Sequence, residues 1–142
     1  MKKAVLMLFM LAAVTVAFGQ KKARETAPAP VRNALKENFA NASDLQWHRA
    51  ADNWVAVFKT EEGPAQAEFT PEGTWVATRI ELAPTQLPDT LMHNLQLQYP
   101  DATVKTVTHI TRADIAGYYK IDVDRNGMAA TLLGNEQGTL TE

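Results

Sequence analysis

The stretch PAPVRNALKENFANA (Pro28–Ala42) decides the fold, and a similar stretch, PDTLMHNLQLQYPDA (Pro88–Ala102), follows sixty positions later. In each stretch, apolar residues recur at the spacing that places them on one face of a helix. These residues are Val31, Leu35 and Phe39 in the first stretch and Leu91, Leu95 and Tyr99 in the second. A proline opens each stretch, as is common in the first turn of a helix. Each stretch therefore predicts a short amphipathic helix.

Short segments rich in β-branched, aromatic or alternating apolar residues follow each predicted helix. They are residues 45–48, 54–60, 65–70 and 74–80 after the first helix, and 103–112, 118–123, 128–133 and 139–141 after the second. Loops as short as those between them join antiparallel neighbours. The order predicts an α+β fold made of two tandem repeats, each one helix followed by a four-stranded antiparallel meander, with the helices packed on one face of the sheet. We expect the first repeat at residues 30–82 and the second at 83–142.

The N-terminus has the organisation of a secretory signal peptide. Lys2 and Lys3 precede an apolar run over residues 4–14, and the small residues Ala17 and Gly19 lie three and one positions before a cleavage site at Gln20. We expect residues 1–19 to be a signal peptide, residues 20–29 to be a flexible leader, and the protein to be exported to the periplasm or outside the cell, without membrane insertion after cleavage. The alternative is a retained N-terminal anchor. The chain has no cysteine, which excludes a lipid anchor on cysteine and disulfides.

The charge of the chain argues against two classes of partner. The net charge is −2, and it becomes −4 once Lys2 and Lys3 leave with the predicted signal peptide. Nucleic acids and anionic membranes bind proteins through a basic face, because cations must neutralise the phosphates. We therefore expect neither of them as a partner.

No constellation of residues predicts catalysis, a metal site or a cofactor site. The segment 122–127 matches the first half of a calcium-binding EF-hand loop, but Leu133 stands where the bidentate glutamate is needed, so an Asn-Gly hairpin is favoured. His48, His93 and His109 are scattered along the chain. Ser43 is the only serine, and a hydrolase would require two distant carboxylates to converge. We therefore predict a protein that is not an enzyme.

The first long strand offers one candidate surface. In the corresponding strand of the second repeat, Tyr118, Lys120 and Asp122 are polar enough to face water, while Tyr119, Ile121 and Val123 face the core. The same register, carried back 64 positions, predicts an outward apolar patch that marks a partner-binding site. Its residues are Trp54, Ala56 and Phe58. The alternative is that these side chains lie in the core.

Taken together, the order of these elements is similar to a known pattern. A proline-led helix ends in an aromatic residue, a strand carries a tryptophan (Trp47), and hairpins end in Glu72-Gly73-Thr74-Trp75. Over residues 28–47, 53–75 and 88–140, the chain resembles the PepSY-like, β-lactamase-inhibitor-like (BLIP-like) family of exported proteins common in Bacteroidetes. The resemblance implies a tandem repeat with helices on one face of an antiparallel sheet, and a non-enzymatic role with no catalytic residues to transfer. In the second copy, Val107 and Leu140 replace the tryptophans of the pattern.

The predicted function is a non-enzymatic exported binding module that inhibits or regulates another envelope or secreted protein. The alternative is a small-ligand carrier or sensor with a pocket between the helices and the sheet. Trp47, Phe69 and Trp75 are the residues expected to line such a pocket.

Overall fold

The computed structural model describes residues 25–142 and contains two α-helices in that range. They are α1 (Ala29–Asn38) and α2 (Asp89–Gln98). Both follow a proline, and both end where the backbone N–H of an aromatic residue bonds back four residues, from Phe39 to Leu35 and from Tyr99 to Leu95. The two amphipathic helices predicted from the sequence are confirmed.

Eight strands form one antiparallel sheet in which the spatial order follows the chain order. The strands are β1 (Ser43–Ala50), β2 (Asn53–Lys59), β3 (Pro64–Phe69), β4 (Trp75–Leu82), β5 (Ala102–Arg112), β6 (Tyr118–Arg125), β7 (Met128–Asn135) and β8 (Leu140–Thr141). A 3₁₀ turn over Pro84–Gln86 leads from β4 into α2. Each strand therefore pairs with its neighbours along the chain, and β1 and β8 form the two edges of the sheet.

The predicted fold of two repeats, each a helix with its own four-stranded meander, is wrong. Strand β4 pairs with β5 along six residue pairs, from Ala77 opposite Arg112 to Leu82 opposite Val107. This pairing merges all strands into a single sheet with two helices. The physical reason is that two separate meanders would leave β4 and β5 as edges with unpaired N–H and C=O groups. The assignment of 30–82 and 83–142 as two copies of one module stays a prediction.

The two helices cover the same face of this sheet, through two apolar clusters. In the first cluster, Val31 and Leu35 of α1 pack with residues of β2 and β3. In the second cluster, Leu91 and Leu95 of α2 pack with residues of β5 to β8. Both clusters lie on one side because the register runs continuously across the seam, from Ala65 through Ile80 to His109 and Tyr119. The opposite side of the sheet carries no helix within residues 25–142.

The predicted signal peptide and residues 20–24 of the predicted leader lie outside the described residues. The rest of the leader contributes to the fold, because Ala27 is buried in the first cluster and α1 already begins at Ala29. No helix within residues 25–142 is long and apolar enough to cross a membrane.

Candidate functional site

The three residues of the predicted outward patch lie in the core. Trp54 is 8% exposed, Ala56 is fully buried and Phe58 is 2% exposed. All three belong to the first cluster beneath α1, and the ring of Phe58 lies 5.0 Å from that of Phe39 at the end of the helix. The expectation that they form an exposed patch is therefore corrected.

The patch was predicted on the wrong face because the alignment of β2 with β6 was wrong by one residue. Tyr119, Ile121 and Val123 face the core as predicted, because the last two are almost completely buried in the second cluster and Tyr119 packs against it. The residues of β2 that face the helix side are Trp54, Ala56 and Phe58, 65 positions earlier and not 64. Because side chains alternate along a strand, a shift of one position exchanges the two faces completely. The outward residues of β2 are instead Val55 and Val57.

The sheet face opposite the helices, which we call the helix-free face, contains buried apolar side chains of its own. Val55 is 5% exposed, Ala77 is 2% exposed and Ile110 is 7% exposed, yet none of them belongs to either apolar cluster. Val57 and Tyr118 on this face are half-buried. Apolar side chains thus lie on this face on β2 and again at Ala77, Ile110 and Tyr118, and the polar residues Gln66 and Glu68 of β3 separate the two groups.

Polar contacts hold charged side chains on this face in place. Asn53 donates a 2.7 Å hydrogen bond from Nδ2 to Oε1 of Glu68. The guanidinium of Arg112 donates two 2.8 Å hydrogen bonds to the carboxylate of Asp114, which raises the pKa of Arg112 and lowers the pKa of Asp114. These contacts leave the face ordered, with fixed charges beside apolar side chains.

A second polar group lies farther along the helix-free face, around Asp122. Its carboxylate accepts hydrogen bonds from the hydroxyls of Thr131 (2.7 Å) and Thr106 (2.8 Å), and Lys120 lies 3.4 Å away. The hydrogen bonds from Thr131 and then Thr106 lower the pKa of Asp122, with a smaller contribution from Lys120. The carboxylate therefore ties β5, β6 and β7 together.

The centre of the helix-free face lies at the seam between β4 and β5. Arg79 of β4 is opposite Ile110 of β5, and Ile110 is in turn opposite Tyr118 of β6. Arg79 is half-buried and forms no ion pair or side-chain hydrogen bond within residues 25–142. An arginine and a tyrosine beside apolar residues are the residue types that dominate protein-binding surfaces.

The pocket expected between helix and sheet is filled. Phe69 is fully buried in the first cluster, and Trp47 and Trp75 are half-buried against it. The indole Nε1 of Trp75 donates a 2.8 Å hydrogen bond to the hydroxyl of Thr78, which is 4% exposed. All three therefore contribute to the first cluster, and none of them lines either of the two depressions described next.

Two open depressions occur elsewhere on the described part of the chain. The larger, of about 440 Å³, is bordered by Asp101, Arg125 and Glu142 at the outer side of β7. Arg125 is held there by Asp101 and by Glu142, at 3.3 and 2.8 Å. The other, of about 360 Å³, lies between the β2–β3 turn and the 3₁₀ turn. The guanidinium of Arg125 already has two carboxylate partners, so it should bind a further anion more weakly than Arg79 would.

On the helix side of the sheet, the rings of His109 of β5 and Tyr119 of β6 stack on each other. Their rings lie 4.5 Å apart with an interplanar angle of 12°. His109 Nε2 is buried without a hydrogen-bond partner among the described residues, and the nearest carboxylate oxygen, of Glu136, is 4.0 Å away. Burial raises the pKa of Tyr119, and the negative charges of Glu136 and Glu62 raise it further. Two groups of this kind do not make a metal site or a nucleophile–base pair.

The calcium-loop-like segment forms the predicted hairpin. Asn126 and Gly127 form a two-residue turn, both with positive φ, between β6 and β7. The Asp124 carboxylate accepts a 2.9 Å hydrogen bond from the backbone N–H of Gly127 and thereby stabilises the turn. In the part of the chain that the structure describes, no group of three or more histidine or acidic side chains is placed to hold a metal ion.

Sequence reasoning missed Arg79 and Ile110 as surface residues but placed Tyr118 correctly on the outward side of β6. The missing information was the pairing of β4 with β5, which adds Arg79 to the row that the β5–β6 pairing forms from Ile110 and Tyr118. The alternation of Thr78, Arg79 and Ile80 would have assigned Arg79 to the outer face once the orientation of β4 was known.

The fold and this face define an α+β protein with two helices on one side of an eight-stranded antiparallel sheet and an open face on the other. Residues 52–142 match the model of a family described as "Putative beta-lactamase-inhibitor-like, PepSY-like". Because the match spans more than half of the chain, the protein belongs to this PepSY-like family, as the resemblance predicted. A search of curated protein sequences gave no match.

Solved structures from Bacteroides share the fold. A BLIP-like protein from Bacteroides fragilis NCTC 9343 is 20% identical with a TM-score of 0.75, over 84% of this chain and 86% of that chain. A DUF2874 family protein from Bacteroides ovatus ATCC 8483 is 21% identical with a TM-score of 0.73, over 83% and 86%. A protein from Bacteroides eggerthii DSM 20697, described as "putative periplasmic", is 21% identical with a TM-score of 0.71, over 83% and 88%. At these identities the likeness establishes the fold alone.

Proposed function

We propose that this protein is a non-enzymatic module, exported to the periplasm, that binds another envelope protein through its helix-free face. The observation that carries the proposal is a sheet face that no helix within residues 25–142 covers, with the half-buried side chains of Arg79 and Tyr118 near its centre. Val55, Ala77 and Ile110 are at most 7% exposed there, and Arg79 and Tyr118 lie beside them. A surface of this composition is typical of the centre of a protein interface.

Three further observations support the proposal. The family is described as inhibitor-like, and a structural neighbour is described as periplasmic. The N-terminal pattern of a signal peptide favours the same location. Regulation of the bound partner, including inhibition, is the role that we propose for this binding.

Site-specific photo-crosslinking in living cells tests the surface. The photoreactive amino acid p-benzoylphenylalanine replaces Gln66 or Tyr118 on the helix-free face, and, as the matched control, Leu97 on the outer side of α2. Gln66 is exposed on the face and Leu97 is 67% exposed away from it, so both positions tolerate the replacement. We expect one discrete adduct of the same mass from positions 66 and 118 and none from position 97. Adducts from position 97 alone, or from no position on the face, would refute the proposal.

A further inference from the structure

We infer that the partner presents an acidic segment to the helix-free face, and that one of its carboxylates binds between Arg79 and Arg112. This inference rests on the proposed function and names the chemistry of the partner at the same surface. It begins from the placement of the two arginines. Arg79 lies opposite Ile110 and Arg112 lies opposite Ala77, so the arginines are diagonal neighbours on adjacent strands. Diagonal neighbours of this kind are about 7–8 Å apart, within reach of one carboxylate for long side chains.

The two guanidinium groups differ in how far their charge is already compensated. Arg112 is fixed by its two hydrogen bonds to Asp114, which orient the group without covering it, since its side chain remains 37% exposed. Arg79 has no acidic partner within residues 25–142, although Glu68 and Glu81 lie on the same face. Glu68 instead accepts the hydrogen bond of Asn53. Arg79 is therefore the free cation at the centre of the face.

The apolar neighbours of Arg79 on the β5 side strengthen the attraction of this cation for a carboxylate. Ile110 is 7% exposed directly beside Arg79, and half-buried Tyr118 lies beyond it, whereas exposed Gln66 of β3 lies on the other side of Arg79. A charge pair formed where water is excluded is stronger than the same pair in open solvent. Arginine also binds a carboxylate through two parallel hydrogen bonds, which adds orientation to the attraction.

The charge of the rest of the chain makes this site selective. The net charge is −4 without Lys2 and Lys3, so the protein as a whole repels anionic membranes and other acidic surfaces. The guanidinium of Arg79, which has no ion pair within residues 25–142, favours an acidic side chain on an otherwise apolar segment. The partner segment that fits is one in which acidic residues alternate with apolar or aromatic residues.

Nuclear magnetic resonance titration of the ¹⁵N-labelled exported protein tests this inference. The probe is the blocked hexapeptide Glu-Leu-Glu-Leu-Glu-Tyr, and the control peptide has lysine in place of each glutamate. We expect the glutamate peptide to shift the Arg79 Nε–Hε resonance and the amides of Ile110 and Tyr118, and the lysine peptide to leave them unchanged. Arg79→Gln should weaken the binding of the glutamate peptide by roughly tenfold or more, since a hydrogen-bonded charge pair is lost. Arg79→Lys keeps the positive charge but cannot form two parallel hydrogen bonds, so its affinity for the glutamate peptide should lie between those of the parent protein and Arg79→Gln.

The matched control is Arg32→Gln, which removes an exposed arginine on α1 and should leave peptide binding unchanged. The spectrum of each variant reports whether the sheet remains folded. Equal binding of the lysine peptide, shifts centred on Arg125, or full binding by Arg79→Gln would overturn the inference. So would binding to phosphatidylglycerol vesicles in preference to the peptide. If photo-crosslinking from positions 66 and 118 succeeds while this titration fails, the proposed function stands and only the acidic chemistry of the partner is wrong.

Discussion

Arg79 of β4 lies directly opposite Ile110 of β5, so the pairing that unites the sheet also creates the centre of the proposed binding surface. A protein made of two separate meanders would have no such centre, because these residues would lie on two unconnected edges. The proposed binding and the continuity of the sheet therefore depend on the same pairing. Disruption of the β4–β5 seam should remove both together.

The assignment of faces on β2 can be tested with two neighbouring residues. Phe58→Ala should lower the free energy of unfolding by about 3–5 kcal/mol, because it opens a cavity beneath α1. Val57→Ala, on the half-buried helix-free side of the same strand, should cost only about 1 kcal/mol. Urea titration of the parent protein and of the two variants gives both values. A larger loss for Val57→Ala than for Phe58→Ala would mean that the faces are reversed.

The close approach of the β3–β4 turn to α1 can be measured with two glycines of similar backbone conformation. Gly73 has φ +92° and Gly127 has φ +85°, but a Cβ at Gly73 would lie 2.7 Å from the carbonyl oxygen of Pro30. A Cβ at Gly127 meets nothing within 4 Å. Gly127→Ala should lower the free energy of unfolding by about 1–2 kcal/mol, because alanine is strained in the left-handed conformation. Gly73→Ala should cost about 1–3 kcal/mol more, because the backbone of α1 must move.

Thermal or urea unfolding of both alanine variants provides the comparison. The exposed turn of Gly127 serves as the control for the conformational cost, so the difference between the variants isolates the contact with Pro30. Equal decreases in the free energy of unfolding for the two variants would show that the β3–β4 turn is not in close contact with α1.

The helices were predictable from sequence because apolar residues recur both three and four positions apart, as Val31, Ala34 and Leu35 do, and a strand does not place that combination on one face. The strands were predictable from composition and short turns. The facing of β2 was not, because Trp54, Val55, Ala56, Val57 and Phe58 are all apolar, and alternation carries no information when both faces are buried. The position of Arg79 depended on a partner strand some thirty residues away, across a helix, which local patterns do not encode.

The Asp122 carboxylate should make stability depend on pH in the acid range. Its pKa is lowered by hydrogen bonds from Thr131 and Thr106 in the folded protein, so the folded state favours the charged form. The resulting stabilisation is present above the ordinary pKa of an aspartate, near 4, and is lost as the pH falls through the lower folded value. Asp122→Asn should therefore be less stable than the parent protein at pH 7, and the difference should shrink below about pH 4.

Urea titrations at several pH values between about 2.5 and 7 measure this difference. The control is Asp52→Asn in the exposed β1–β2 turn, where the side chain makes no hydrogen bond or ion pair within residues 25–142. A gap between the parent and Asp122→Asn that stays constant down to the lowest pH would contradict the role of the ionised carboxylate.

The hydrogen bond from Trp75 to Thr78 should stabilise the helix side of β4. Thr78→Val keeps the shape of the side chain but removes the acceptor of the 2.8 Å bond from the indole Nε1, at a site that is 4% exposed. We expect a loss of about 1 kcal/mol in the free energy of unfolding, together with a change in tryptophan fluorescence. Thr78→Ser keeps the hydroxyl and should retain the fluorescence of the parent, although it loses some packing. If the serine and valine variants have the same fluorescence and the valine variant is the more stable, the hydrogen bond contributes nothing at this position.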